Sequence, residues 1–233
     1  MHQGMFIVLD GNDGSGKATQ AKLLLERFEK EGHPVAHVDF PAYDRNVFGT
    51  LIGECLRGEH GDFVALDPKI ASTLYALDRF ESAPKIRSLL SEGVTVVADR
   101  YASSNQIHQG GKIEGVEERK QFLSWLEEVE YGTLQIPKPD QVIYLDVPVA
   151  TSLELLSQKR AVKNGGLSEG EMDMVEQDRN YLERSRESAE LLAQQEDSWR
   201  VVPCVSSDGT LRTREEIHED IWELVQALEK GLY

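Results

Sequence analysis

Short β-branched runs alternating with longer helical patterns constrain this chain more than any other feature. The runs are Met5–Asp10, Val35–Phe40, Val94–Asp99, Gln141–Val147 and Trp199–Pro203. Helical patterns occupy 17–31, 47–57, 68–92, 116–130, 149–160, 172–195 and 213–230. Strands that alternate with helices build a parallel sheet with helices on both faces, an α/β architecture. The runs are almost continuously apolar, as strands buried on both faces are. At 233 residues the chain suits one such domain over 1–233. Ligands of these sheets lie beyond the carboxyl ends of the strands. Attention therefore falls on Asp10–Thr19, Phe40–Arg45, Asp99–Gln109 and the segment after Val147.

Composition narrows the class of ligand. With 40% hydrophobic and 28% charged residues, the chain is neither disordered, collagen-like nor membrane-spanning. Its 25 Lys and Arg against 41 Asp and Glu give a net charge of −16. That surface repels nucleic acid polymers and anionic membranes. A small anionic substrate is acceptable where positive charge is concentrated at one site. Cys55 and Cys204 are too far apart in sequence for a C-x-x-C pair, so neither a disulfide nor a zinc framework is expected and both read as buried or half-buried thiols. No basic segment precedes the first apolar run, and no run approaches the ~18 residues of a membrane span. A cytoplasmic address is expected.

The run Asp10-Gly11-Asn12-Asp13-Gly14-Ser15-Gly16-Lys17-Ala18-Thr19 follows the first strand and opens the first helix. Glycines let such a loop wrap so tightly that successive backbone N–H groups point at phosphate oxygens. Gly11, Gly16 and Lys17 satisfy G-x-x-x-x-G-K, with Lys17 placed to reach the outer phosphates. Ala18 breaks the pattern. It stands where Ser or Thr normally gives a hydroxyl oxygen to Mg²⁺, and Thr19 is one residue late.

Two further constellations stand out. Asp99-Arg100-Tyr101 follows the third strand, at the same edge of the sheet as the loop. Asp99 there can hold Mg²⁺ through water or assist a phosphoryl acceptor, and Arg100 can clamp a phosphate. Tyr75 and Arg79 are four apart, hence on one helical face, an aromatic ring beside a guanidinium. The polar, Gly-rich stretch 159–171, with Lys159, Arg160 and Lys163 at its start, reads either as an exposed helix–helix connection or as a mobile lid.

Taken together, Asp10–Gln20, Phe40-Pro41, Tyr75…Asp78-Arg79, Asp99–Asn105 and Pro137-Lys138-Pro139-Asp140 resemble the thymidylate kinase family in order and spacing. The resemblance spans nearly the whole chain, the tail after Val205 being least diagnostic. It implies a P-loop kinase fold with a five-stranded parallel sheet and a lid at 159–171. It also implies transfer of the γ-phosphoryl group of ATP to dTMP with Mg²⁺, in a homodimer.

By the same resemblance, Gly11, Gly14, Ser15, Gly16, Lys17, Ala18, Thr19 and Arg160 would bind ATP. Asp13 would contact the acceptor sugar or its metal. Phe40 and Tyr75 would pack near thymine, and Arg79 would lie close to base and phosphate. Tyr43 and Arg100 would hold the acceptor phosphate. Ser104, Asn105 and Gln109 would line the base pocket, and Asp173 and Glu176 match an acidic pair after the lid, Glu176 on the dTMP side. Lys17, Asp13, Asp99, Arg100, Arg160 and Lys163 form the implied catalytic set.

Four positions depart from the family pattern. Besides Ala18, Gly14 replaces an Arg used by one branch, which assigns that cation to Arg160 or Lys163. His108 stands where Tyr or Phe is usual, and Ala42 where an Arg is frequent, with Arg45 nearby. Competing readings are a kinase for another nucleotide or nucleoside, and a nucleotide-binding module that has lost catalysis.

Overall fold

The computed structural model describes residues 3–164 and 169–231, and within these the side chains of 3–158 and 179–231. Five parallel strands form one sheet in the order β2-β3-β1-β4-β5. They are β1 (Phe6–Gly11), β2 (Val35–Asp39), β3 (Thr95–Asp99), β4 (Gln141–Asp146) and β5 (Trp199–Pro203). The helices are α1 (Lys17–Glu31), α2 (Val47–Leu56), α3 (Pro68–Ser91), α4 (Ala102–His108), α5 (Val116–Glu127), α6 (Val149–Asn164), α7 (Glu169–Gln195) and α8 (Arg214–Glu229). The α/β expectation and its five parallel strands are thus observed, with element ends shifted by a residue or a few.

β1 lies at the centre, and its six residues are buried throughout. Successive side chains point to opposite faces, so one strand feeds two cores. Phe6 and Val8 join Val96, Ala98, Val142 and Tyr144 in the layer closed by α3, α4, α5 and α7. Ile7 and Leu9 join Val97, Ile143 and Leu145 in the layer closed by α1 and α8. Two covered faces explain why the strand sequences do not alternate. Cys55 and Cys204 are both buried free thiols, as composition suggests.

Two elements depart from the sequence reading. Helix α4 was expected as part of the loop after β3, because Ala102–His108 is too short and polar to carry a helical period. The helices flanking 159–171 were expected to end at 160 and begin at 172, yet the backbone of α6 continues to Asn164 and that of α7 begins at Glu169. Polar, charged residues are good helix formers, and composition alone hides that.

What positions the site is strand register. Leu9 pairs with Asp99, and Asp10 and Gly11 pair with Tyr144 and Leu145. The glycine-rich loop, the Asp99-Arg100 turn and the start of α6 therefore emerge side by side from the carboxyl edge of the sheet.

Candidate active site

The loop Gly11–Gly16 wraps over the end of β1. Gly11 and Gly14 lie at φ 151° and 84°, where an L side chain is strained. A Cβ on Gly14 would also sit 3.0 Å from the Ser152 carbonyl oxygen and 3.1 Å from Leu156. Gly16 occupies the N-cap of α1 without a side-chain cap, and the first turn carries no acidic residue. The free N–H groups and the helix dipole are left for an anion.

Lys17 is buried beneath this loop. Its Nζ donates to the carbonyl oxygens of Gly11 at 2.8 Å and Asn12 at 2.9 Å, 4.0 Å from Asp13 Oδ1. Burial, with the nearby charge of Arg100, lowers its pKa to about 8, against the pull of Asp10, Asp13 and Asp99. An ammonium under partial deprotonation pressure is primed to gain from a polyanion. Ser15 Oγ and Asn12 Oδ1, in the same loop, are buried without a hydrogen-bond partner.

Arg100 links the loop to the rest of the site. It adopts φ 68°, a left-handed conformation that costs an Arg on the order of 1–2 kcal/mol. The turn sends the guanidinium back over the loop. Nη2 pairs with Asp13 Oδ1, while Nη1 lies 2.9 Å from His108 Nε2 and 3.3 Å from Ser104 Oγ. Burial and the charge of Arg100 push His108 down to about 4, so it is neutral near pH 7 and Nε2 accepts from Arg100. Water exclusion opposes ionisation of Asp13, but Arg100 and Lys17 outweigh it and hold its carboxyl below the ordinary range. Beneath them Asp10 is fully buried and accepts from the Gly11 N–H at 2.8 Å, Ser103 Oγ at 2.6 Å and Ser104 Oγ at 2.8 Å.

A cavity of about 440 Å³ opens beside Arg100. Nine residues singled out from the sequence line it together: Asp13, Phe40, Tyr43, Tyr75, Arg79, Arg100, Ser104, Asn105 and Gln109. They come from five separate elements or loops. Phe40 packs edge-on against Tyr101 at 5.4 Å, ahead of a cis peptide to Pro41. Tyr75 tilts against Phe63 at 5.7 Å. Tyr43 stands half in solvent at the mouth, in a turn held by Asp78, which accepts from the Ala42 N–H at 3.0 Å and Asn46 Nδ2 at 2.6 Å. Gln109 is buried with Oε1 unpartnered.

Some residues sit differently from expectation. Arg79 was expected as an available cation, but its charge is already met by Glu130 in a fully buried pair. Its Nη1 makes only a 3.5 Å approach to the Tyr101 carbonyl oxygen. The Ser104 hydroxyl donates to Asp10. Arg45, the substitute for a cation at Ala42, pairs with Asp39 on the surface at 2.6 Å. Ala18 is exposed and Thr19 half-buried on α1. The side chains of Arg160, Lys163, Asp173 and Glu176 lie outside the described residues. Sequence reading missed Phe63, Val64, Lys112 and Tyr181, which also line the cavity, and Glu130 behind it. No motif marks them, since they reach the site through packing alone.

For a metal, the donor set is sparse. Among the described residues no cluster of three His, Cys, Asp or Glu side chains could hold an ion. Asp10 is engaged by three donors and Asp13 is paired through Oδ1 with Arg100, which leaves Asp99, half-buried at the same strand end. Burial raises its pKa, opposed by Lys17 and Arg100. One carboxylate beside a phosphate cradle fits Mg²⁺, which keeps several waters and binds largely through substrate phosphates.

Comparison with known proteins agrees with this geometry. The family model described as Thymidylate kinase matches residues 9–221. The chain is 33% identical over 194 residues to the thymidylate kinase of Mycobacterium tuberculosis (strain H37Rv), covering 82% of this chain and 86% of that one. It is 36% identical over 230 residues to the probable thymidylate kinase of Pyrococcus horikoshii, covering 96% and 97%. The fold superposes on the solved thymidylate kinase of Candida albicans with a TM-score of 0.69 at 20% identity, over 97% of this chain and 93% of that one. With a glycine loop at one side of Arg100, a nucleotide-sized cavity at the other and this sequence kinship across its length, the chain belongs to the thymidylate kinase family.

Proposed function

We propose that this protein transfers the γ-phosphoryl group of ATP to dTMP, forming dTDP and ADP. The observation that carries the reading is the position of Arg100, shared between the phosphate loop through Asp13 and the cavity through Ser104 and His108. One guanidinium thus stands between a triphosphate site and a monophosphate site.

In this reading the loop N–H groups, the α1 terminus and Lys17 seat the phosphates of ATP. Phe40 and Tyr75 flank the acceptor base, and Arg100 holds the acceptor phosphate. An oxygen of that phosphate attacks the γ-phosphorus, the bond to the β–γ bridging oxygen breaks, and ADP leaves with the electron pair. Such transfer asks the protein for positioning and charge neutralisation. Lys17 and Arg100 supply both inside a chain of net charge −16. Asp99 would hold Mg²⁺ through water, and the ion would supply charge neutralisation for the donor phosphates. The cation lost at Gly14 is assigned to Arg160 or Lys163, on sequence grounds, at a lid over 159–171.

The test is ADP release with a panel of dTMP, dUMP, dCMP, dGMP, UMP and thymidine as acceptors. Fastest turnover with dTMP is expected, and thymidine should fail because Arg100 would lack its phosphate partner. ATP binding without ADP formation with any acceptor would support a nucleotide-binding module.

We also propose a homodimer, supported by Val47, Ile70 and Phe80, which stand exposed on α2 and α3. Exposed apolar side chains on adjacent helices suit a two-fold seam. Sedimentation should give about twice the 26.2 kDa chain mass, falling to one chain in Phe80→Glu. A cytoplasmic location fits the acidic surface, and no described helix is long and apolar enough to cross a membrane.

A further inference from the structure

Glu130 lies in a π-helical turn, Glu128–Thr133, that continues α5. Its neighbours Glu127 and Glu128 reach towards water, whereas Glu130 is fully buried. Its Oε2 accepts from Arg79 Nε at 2.7 Å. Its Oε1 accepts from Arg79 Nη2 and, at 3.2 Å, from Asn105 Nδ2. One carboxylate therefore orients two cavity-lining side chains from different helices, α3 and α4.

The consequence for Asn105 is a fixed amide. Its Nδ2 also donates to the Ser72 carbonyl oxygen at 3.2 Å. Both partners of that nitrogen are pure acceptors, so a flipped amide would set oxygen against oxygen twice. Oδ1 is then the end Asn105 has left for the cavity. Arg79, with Nε and Nη2 committed, keeps Nη1, which makes only a 3.5 Å approach to the Tyr101 carbonyl oxygen. The wall thus offers one donor and one acceptor in a set order.

We propose that Glu130 is a positioning residue that imposes this donor–acceptor order and so selects a pyrimidine edge carrying a carbonyl beside a ring N–H. The inference rests on the reading of the cavity as the acceptor-nucleotide site. A 4-oxo pyrimidine gives its O4 to Arg79 Nη1 and its N3–H to Asn105 Oδ1. A 4-amino pyrimidine sets an amine against the guanidinium and a bare ring nitrogen against the amide oxygen. Both clashes leave buried polar groups unpaired, the situation in which hydrogen-bonding sites discriminate most strongly. An isolated Asn can flip to suit either edge; an Asn held by Glu130 and Ser72 cannot.

The experiment compares kcat/KM for dTMP and dCMP in the wild type and in Glu130→Gln, with KM for ATP and the melting temperature followed in both. A Gln amide has one acceptor oxygen where the carboxylate has two, so it cannot serve Arg79 Nε, Arg79 Nη2 and Asn105 Nδ2 together, and the fixed order of the wall is lost. The ratio of dTMP to dCMP efficiency should fall by about 10–100-fold while KM for ATP stays unchanged. Equal losses for both acceptors, with the ratio intact, would reduce Glu130 to a structural support and overturn the proposal. Should Glu130→Gln fail to fold because Arg79 is stranded, Glu130→Gln with Arg79→Met removes the buried charge. Its ratio is read against that of Arg79→Met alone: a further fall, transmitted through Asn105, supports the proposal, and equal ratios in the two variants refute it. A wild type inactive on dTMP would instead refute the reading of the cavity, a separate failure seen before any variant is made.

Discussion

Lys17→Met should lower kcat with ATP and dTMP by roughly 10²–10³-fold, the range for removing one preorganised charge stabiliser from a transition state. The fold should survive. Lys17 gives two hydrogen bonds to Gly11 and Asn12, but holding a cation in that burial is itself unfavourable, as its pKa of about 8 shows. The two effects oppose each other, so the melting temperature should move little while turnover collapses. A variant within tenfold of wild type would remove Lys17 from the machinery.

The same residue produces a pH signature. At pH 9 the ammonium of the free protein is largely deprotonated, because burial and Arg100 hold its pKa at about 8. A bound polyphosphate restores the proton by supplying opposite charge. ATP binding at pH 9 should therefore take up nearly one proton, measurable by calorimetry in buffers of different ionisation enthalpy, and Lys17→Met should abolish the uptake. Folding stability has the matching sign. Between about 8 and the ordinary 10.5, the unfolded chain holds a proton that the folded chain has lost, so this group makes stability rise with pH across that window.

The second large effect is expected at Arg100. Arg100→Ala should cost about 10²–10³-fold in kcat/KM for dTMP, and Arg100→Lys should recover little of it. Nη2 is bound to Asp13 while Nη1 faces Ser104 and His108, so two nitrogens in a rigid plane serve two places at once. A lysine has one ammonium and can serve one. The backbone adds a second demand, since φ 68° at this position bends the side chain back over the loop. Steady-state kinetics with dTMP varied at saturating ATP read the loss directly. Full rescue by lysine would mean that Arg100 contributes charge alone and no geometry.

Much of the frame was legible because it rests on short-range rules. Apolar β-branched runs become strands wherever helices cover both faces, and β1 is buried along its whole length for that reason. Glycines 11 and 14 report a backbone that a Cβ would obstruct, which is a property of the loop itself. Helix α4 escaped detection because seven polar and small residues carry no period; packing of Ala102 and Ile107 against β1 and α3 makes it helical. Charge and glycine content obscured the ends of α6 and α7, which lie at Asn164 and Glu169.

Residue chemistry and local order were enough to name a phosphate loop, a parallel sheet and half of the side chains around one cavity. Which of their atoms remain free for a nucleotide was settled by tertiary folding. Arg79 was legible as a cation but not as one already neutralised, since Glu130 lies 51 positions away in the chain. His108 was legible as a histidine but not as a neutral acceptor for Arg100, a state created by burial among neighbouring charges. Sequence periodicity records which face of an element is buried. The pairing of polar groups between distant elements depends on distances that exist only after the chain has closed.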